Sequence, residues 1–167
     1  LETAHRAQVI HRDISPHNLL VSDTGAIKII DFGIARTQTS DSMTTPGTFR
    51  GRFGYMAPEY VQGHECDHRV DLFALGVVMW ETFARRRLYP GAAAAQLYSL
   101  IERPAERLDT AIPGFPSALA DVVERLLQRN PDDRYARASE VAHALEDLLP
   151  ALPDGGFRNL AHWVSHH

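Results

Sequence analysis

The sequence predicts an α+β, predominantly α-helical domain carrying one small β-ribbon. Two observations point there. The short apolar pieces at residues 19–21 and 26–30 are separated by Ser-Asp-Thr-Gly, turn residues between β-branched runs, which read as a two-stranded hairpin. Further on, residues 69–83 are nearly all apolar, which at that length means a helix buried on most of its sides.

The elements come in order along the chain. LETAHRA, at the start, reads as the last turns of a helix with Leu1 and Ala4 on one face and no cap before them, so a segment upstream is expected. The hairpin comes next. From Asp31 to Pro58 there is little periodicity and much Ser, Thr, Gly and Arg, a long loop of the kind that is functional or disordered in compact domains. After the buried helix, further helices are expected at about residues 92–102, 117–128 and 139–149, with Ser117 and Ser139 as N-caps. Trp80 and Phe83 are read as core, and the segment after Pro150 as an irregular tail.

Bulk properties bound the function. A chain of 167 residues is one domain by length and can bury roughly 70% of its unfolded surface. A formal charge of -4 argues against a nucleic-acid partner, which calls for a basic face. No apolar run is long enough to span a bilayer, the single Cys66 can form no internal disulfide, and LETAHRAQVI lacks the apolar centre of a signal peptide. A cytoplasmic location is the expectation. His64, Cys66 and His68 alternate in a short stretch but lack the spacing and fourth ligand of a structural zinc site. Arg85, Arg86 and Arg87 read as solvated cations at a helix C-terminus rather than as a nucleic-acid patch.

The chemistry lies in three short motifs spread over residues 11–59. His11-Arg12-Asp13-Ile14-Ser15-Pro16-His17-Asn18 has the form H-R-D-x-x-x-x-N, Asp31-Phe32-Gly33 stands 18 residues beyond Asp13 across the hairpin, and Ala57-Pro58-Glu59 closes the loop. Taken singly, each is equally an exposed loop carboxylate or a turn-forming Asn. Together they resemble the protein kinase family, and HRDISPHN with FGYMAPE is similar to bacterial Ser/Thr kinases more than to tyrosine kinases with R-D-L-A-A-R-N.

The resemblance implies the second half of a kinase domain: a protein-kinase-like C-terminal lobe over residues 1–149, with the ribbon beside the catalytic loop, and a tail over 150–167. It implies ATP and Mg2+ as cofactors and a protein substrate. Asp13 would orient the acceptor hydroxyl and accept its proton, while Asn18 and Asp31 would hold magnesium through hard oxygen ligands. Arg12 would pair with phosphate on the loop, for which Thr44, Thr45 and Thr48 are the candidate sites among seven loop hydroxyls. His11, Asp71, Glu59 and Arg134 would be structural, Glu59 with Arg134 as a buried ion pair and Asp71 under the catalytic-loop backbone, although Asp71 reads equally as a first-turn acid favoured by the helix dipole. Two positions depart from the pattern. Ser15 stands where such kinases carry Lys, and Arg52 stands where they carry Thr, so cation and hydroxyl are expected to have exchanged places. A glycine-rich loop, a strand lysine and its glutamate partner occur nowhere in the sequence; the N-lobe that carries them is expected from elsewhere, in cis or in trans. The competing reading is a non-catalytic kinase remnant that binds a kinase's partners.

Overall fold

A computed structural model describes residues 1–32 and 53–151 of the chain. Along it run α1 (Glu2–Arg6), a 3-10 turn (Pro16–Asn18), β1 (Leu19–Val21), β2 (Ile27–Ile29), a second 3-10 turn (Phe53–Tyr55), α2 (Pro58–Val61), α3 (Arg69–Ala84), α4 (Ala93–Glu102), α5 (Leu108–Ala111), α6 (Ser117–Leu126), a turn at Pro131–Asp133, and α7 (Ala138–Leu148) with a last 3-10 turn at Leu149–Ala151.

The ribbon forms as its turn residues require. β1 and β2 pair antiparallel with Leu19 opposite Ile29 and Val21 opposite Ile27. Gly25 takes φ 78°, its N–H reaching Ser22 O, while Ser22 N–H donates to Ala26 O. This is a three-residue hairpin loop whose last position needs the left-handed conformation that glycine adopts freely.

Helix α3 is the post of the domain. It has no polar stripe, and Leu72, Phe73, Val77 and Trp80 are fully buried among two apolar clusters. One cluster joins α3 to Ile14, Leu100, Leu108 and Val123; the other joins it to Leu126, Tyr135 and Val141. Close packing against α6 depends on Gly76, where an added Cβ would lie 2.7 Å from Leu126 Cβ. Trp80 is sealed in by an Nε1–H bond of 2.7 Å to Glu106 O.

Three expectations are corrected. Ser117 and Ser139 are not N-caps: they lie inside the first turns of α6 and α7, whose caps are Pro116 and Arg137. At α7 the reason is visible, because the Ser139 N–H is taken by Glu2 of α1 at 3.0 Å and Glu140 reaches back to Ala136 N–H. A distant carboxylate thus does the work expected of a local hydroxyl. Phe83 is 38% exposed, packed edge-on to Phe115 at the open end of α3 rather than in the core. Among the described residues no helix is long and apolar enough to cross a membrane.

Candidate active site

Asp71 organises the H-R-D segment from below. It lies in the first turn of α3, 1% exposed, where the helix N-terminus favours a negative charge. Its Oδ2 accepts the His11 backbone N–H and the His5 Nε2–H, and its Oδ1 accepts the Arg12 N–H, each at 2.8 Å. Arg12 needs such a hold, because its φ of 62° is a conformation that non-glycine residues adopt at a cost of about 1–3 kcal/mol. Asp71 is therefore both loop support and first-turn acid.

His11 ties the same segment to the ribbon. It is fully buried, its Nδ1 accepting the Asp13 N–H at 3.2 Å and its Nε2–H donating to Ile30 O at 2.9 Å, with the ring against Phe32. One neutral tautomer meets both bonds. Asn18 is also buried, and its Nδ2 donates to Asp13 O at 2.8 Å and to Asp13 Oδ2 at 3.1 Å. The ribbon ladder continues through Ile30 N–H to Asn18 O, so Asn18 stands across from Ile30 and next to the strand that delivers Asp31. Asp31 is exposed, at φ 56°.

These residues suit a divalent cation of the hard class. With Nδ2 committed to Asp13, the Asn18 side chain has its carbonyl oxygen left to offer a cation, and Asp31 has a carboxylate to offer. Ser15 is 1% exposed, and its Oγ has no hydrogen-bond partner among the described residues. Arg52, Thr44, Thr45 and Thr48 lie outside the described residues.

The far wall of the site is built by residues 53–60. A cavity of about 20 Å³, room for one water, is lined by Arg12, Asp13, Tyr55, Met56, Ala57 and Tyr60 among others. Glu59, at the start of α2, forms a two-pronged ion pair with Arg134, both bonds 2.7 Å and both side chains buried. It fastens the end of the loop to the segment before α7.

Two polar connections carry no signal in the sequence. His5 meets Asp71 across 66 positions. Tyr55 donates to Glu81 Oε2 at 2.7 Å, while Arg87 bonds the Tyr55 hydroxyl and the Glu81 carboxylate, and Arg86 pairs with Glu106. Two of the three arginines expected to be solvated are thus paired. Burial first, then the Glu81 carboxylate, pushes the Tyr55 phenol above its ordinary range. His68 Nε2–H donates to Ala136 O and Cys66 Sγ–H to His64 O, and among the described residues no group of three potential ligands is placed to hold a metal.

Comparison with known proteins agrees with this geometry. The protein kinase domain family matches residues 1–146. The chain is 34% identical over 159 residues to the serine/threonine-protein kinase PknL of Mycobacterium tuberculosis, covering 95% of this chain and 40% of that protein. It is 35% identical over 164 residues to the tyrosine-protein kinase MasK of Myxococcus xanthus, covering 93% and 25%. It is also 35% identical over 150 residues to the serine/threonine-protein kinase PknH of Mycobacterium tuberculosis, covering 89% and 24%. The chain therefore spans less than half the length of these relatives. Because the matched stretch contains both the H-R-D segment held by Asp71 and the Glu59–Arg134 closure, the chain belongs to the protein kinase family.

Proposed function

We propose that this chain is the C-terminal catalytic lobe, residues 1–149, of an ATP-dependent protein kinase that phosphorylates serine or threonine. The observation that carries the reading is the clamp on Asp13: Asp71 fixes the backbone before it, His11 its N–H, and Asn18 its carboxylate. Phosphoryl transfer asks for little covalent work from a protein and much positioning, which is what this clamp supplies. Asp13 takes the proton of the acceptor hydroxyl as that oxygen bonds the γ-phosphorus and the bond to the departing ADP breaks. Asn18 and Asp31 would hold Mg2+, which when bound would neutralise phosphate charge.

Acceptor choice rests on sequence neighbours named both serine/threonine and tyrosine kinases, so Ser15 and Arg52 bear on it most directly. In this reading Ser15 supplies the hydroxyl, its Oγ having no hydrogen-bond partner among the described residues, and Arg52 brings the missing cation. Arg52→Ala with full activity would reject the exchange. Arg12 pairs with phosphate on Thr44, Thr45 or Thr48, and an active enzyme with all three unmodified by mass spectrometry would reject that role.

The nucleotide needs a second lobe over the ribbon. Leu20, Val21 and Ile27 are 51%, 45% and 61% exposed there, an apolar surface suited to such a cover. The test compares γ-phosphate transfer to a protein acceptor by this chain, by the full-length protein and by its Asp13→Asn variant. Transfer by the full-length wild type alone is expected. A folded full-length protein without activity would point to a non-catalytic remnant.

A further inference from the structure

Arg87 is a cation that the proposed chemistry leaves unused, and it stands beside the far wall of the site. Tyr55 lines the cavity together with Asp13, and the Tyr55 hydroxyl accepts a hydrogen bond from Arg87 Nη1, so Arg87 is one residue removed from that wall. The guanidinium carbon lies 5.5 Å from the centre of the Tyr55 ring. Among the described residues only Nη1 is used, on Tyr55 and, at 3.0 Å, on Glu81 Oε2. The Nε and Nη2 donors have no partner there, and the side chain is 51% exposed.

The carboxylate beside it is placed the other way round. Glu81 is 11% exposed, with Oε1 taken by the Leu88 N–H at 3.1 Å and Oε2 shared by Tyr55 and Arg87. A carboxylate so enclosed has little left to offer a basic side chain arriving from outside. The outward group of the trio is the guanidinium, whose planar fork matches a carboxylate with two parallel N–H bonds. The neighbouring charges do not cancel it. Arg86 is balanced by Glu106 at 2.7 Å, while Arg85 is exposed and has no partner among the described residues. Three arginines thus stand against two glutamates, and this rim is net positive in a chain of formal charge -4.

We infer that Arg87 is a specificity-determining residue: its Nε and Nη2 donors bind a carboxylate side chain of the acceptor protein, a few residues from the hydroxyl that Asp13 orients. Acidic acceptor segments are therefore preferred over neutral or basic ones. The inference rests on the proposed kinase reaction for the identity of the molecule that brings the carboxylate.

The experiment uses the full-length protein and peptides with a single Ser or Thr acceptor, in which Asp, Asn or Lys occupies each flanking position in turn. At one or more positions kcat/KM for the Asp peptide is expected to exceed that for the Asn peptide by about tenfold, a ratio that shrinks as salt is raised. Arg87→Gln is expected to bring the ratio within about twofold, and Arg87→Glu to invert it in favour of Lys. A merely structural role on Tyr55 would lower transfer to all peptides alike and leave the ratio unmoved. Fluorescence anisotropy of labelled peptides with Ala in place of the acceptor gives a second readout, with the same order of affinities expected. Circular dichroism checks folding, and Arg87→Met replaces Arg87→Gln if the latter does not fold. Equal transfer to and equal binding of Asp and Asn peptides by wild type at every position, or a ratio unchanged in the folded Arg87 variant, overturns the inference. If wild type transfers no phosphate, the kinase reading fails, and the anisotropy still decides whether Arg87 holds a carboxylate.

Discussion

Arg134 is the side chain whose loss should cost the domain most. All five guanidinium N–H groups are engaged: two on Glu59 at 2.7 Å, and the others on Gln128 O at 2.7 Å, Arg129 O at 3.0 Å and Arg69 O at 3.1 Å. Its carbon centre also lies 4.9 Å from the Phe73 ring. Arg134→Met strands a buried carboxylate and three carbonyls, for an expected cost of about 4 kcal/mol. Glu59→Gln leaves Arg134 its three carbonyls and one amide oxygen, for about 2 kcal/mol. Replacing both, by Glu59→Gln with Arg134→Met, leaves no unpaired charge, so the double variant should be more stable than the sum of the single losses by about 2 kcal/mol or more. Urea unfolding of the kinase domain followed by circular dichroism measures all three; with a slope of about 2 kcal/mol/M, Arg134→Met shifts the midpoint by about 2 M. Strictly additive losses, or an Arg134→Met cost under about 1 kcal/mol, would refute the reasoning.

Gly76→Ala should cost about 1–3 kcal/mol in the same assay, because the new methyl meets Leu126 Cβ at 2.7 Å and Leu127 at 3.1 Å and α3 must separate from α6. Cys66 should alkylate slowly: burial, then the nearby Glu59 carboxylate, pushes its thiol up to about 11, so at pH 8 its reaction with iodoacetamide should be about 100-fold slower than that of an exposed thiol. Since this pKa is raised on folding, the thiol's contribution to stability is present below the ordinary thiol pKa and is lost as pH rises through about 11; the alkylation rate should climb over the same interval. Tyr55→Phe removes one donor from Glu81 while leaving Arg87 and the Leu88 N–H on it, and should cost about 1 kcal/mol in the unfolding assay.

What the sequence makes legible is what short-range physics determines. The ribbon is announced by its turn residues and β-branched runs, and α3 by an unbroken apolar stretch, and both form within a residue of the expected bounds. The contact of Asp13 with Asn18 is likewise local, made within one loop, and the hairpin returns the chain at Ile30 to Asn18. Helices α2 and α5 are four residues each, too short for any periodicity to declare them. The Glu59–Arg134 pair bridges 75 positions and is readable only through the family resemblance. The start of α7 escapes the sequence for a related reason: whether Ser139 caps it depends on Glu2, 137 positions away.

The same division explains how the site is built. The H-R-D segment has neither helix nor ladder to hold it, so side chains from elsewhere accept and donate its backbone bonds: Asp71 from α3 takes two amides, and His11 joins the segment to Ile30 at the ribbon base. Those side chains are rigid because their own supports are. Asp71 rests on the most buried helix of the domain and on His5 from α1, while α1 is itself pinned to α7 through Glu2 and the Ser139 N–H. Asp13 therefore takes its position from elements outside its own loop, and changes in α1 or α3 reach the backbone before it through the Asp71 carboxylate. The loop's own sequence specifies which groups are offered, and the packing of α1, α3 and the ribbon specifies where they stand.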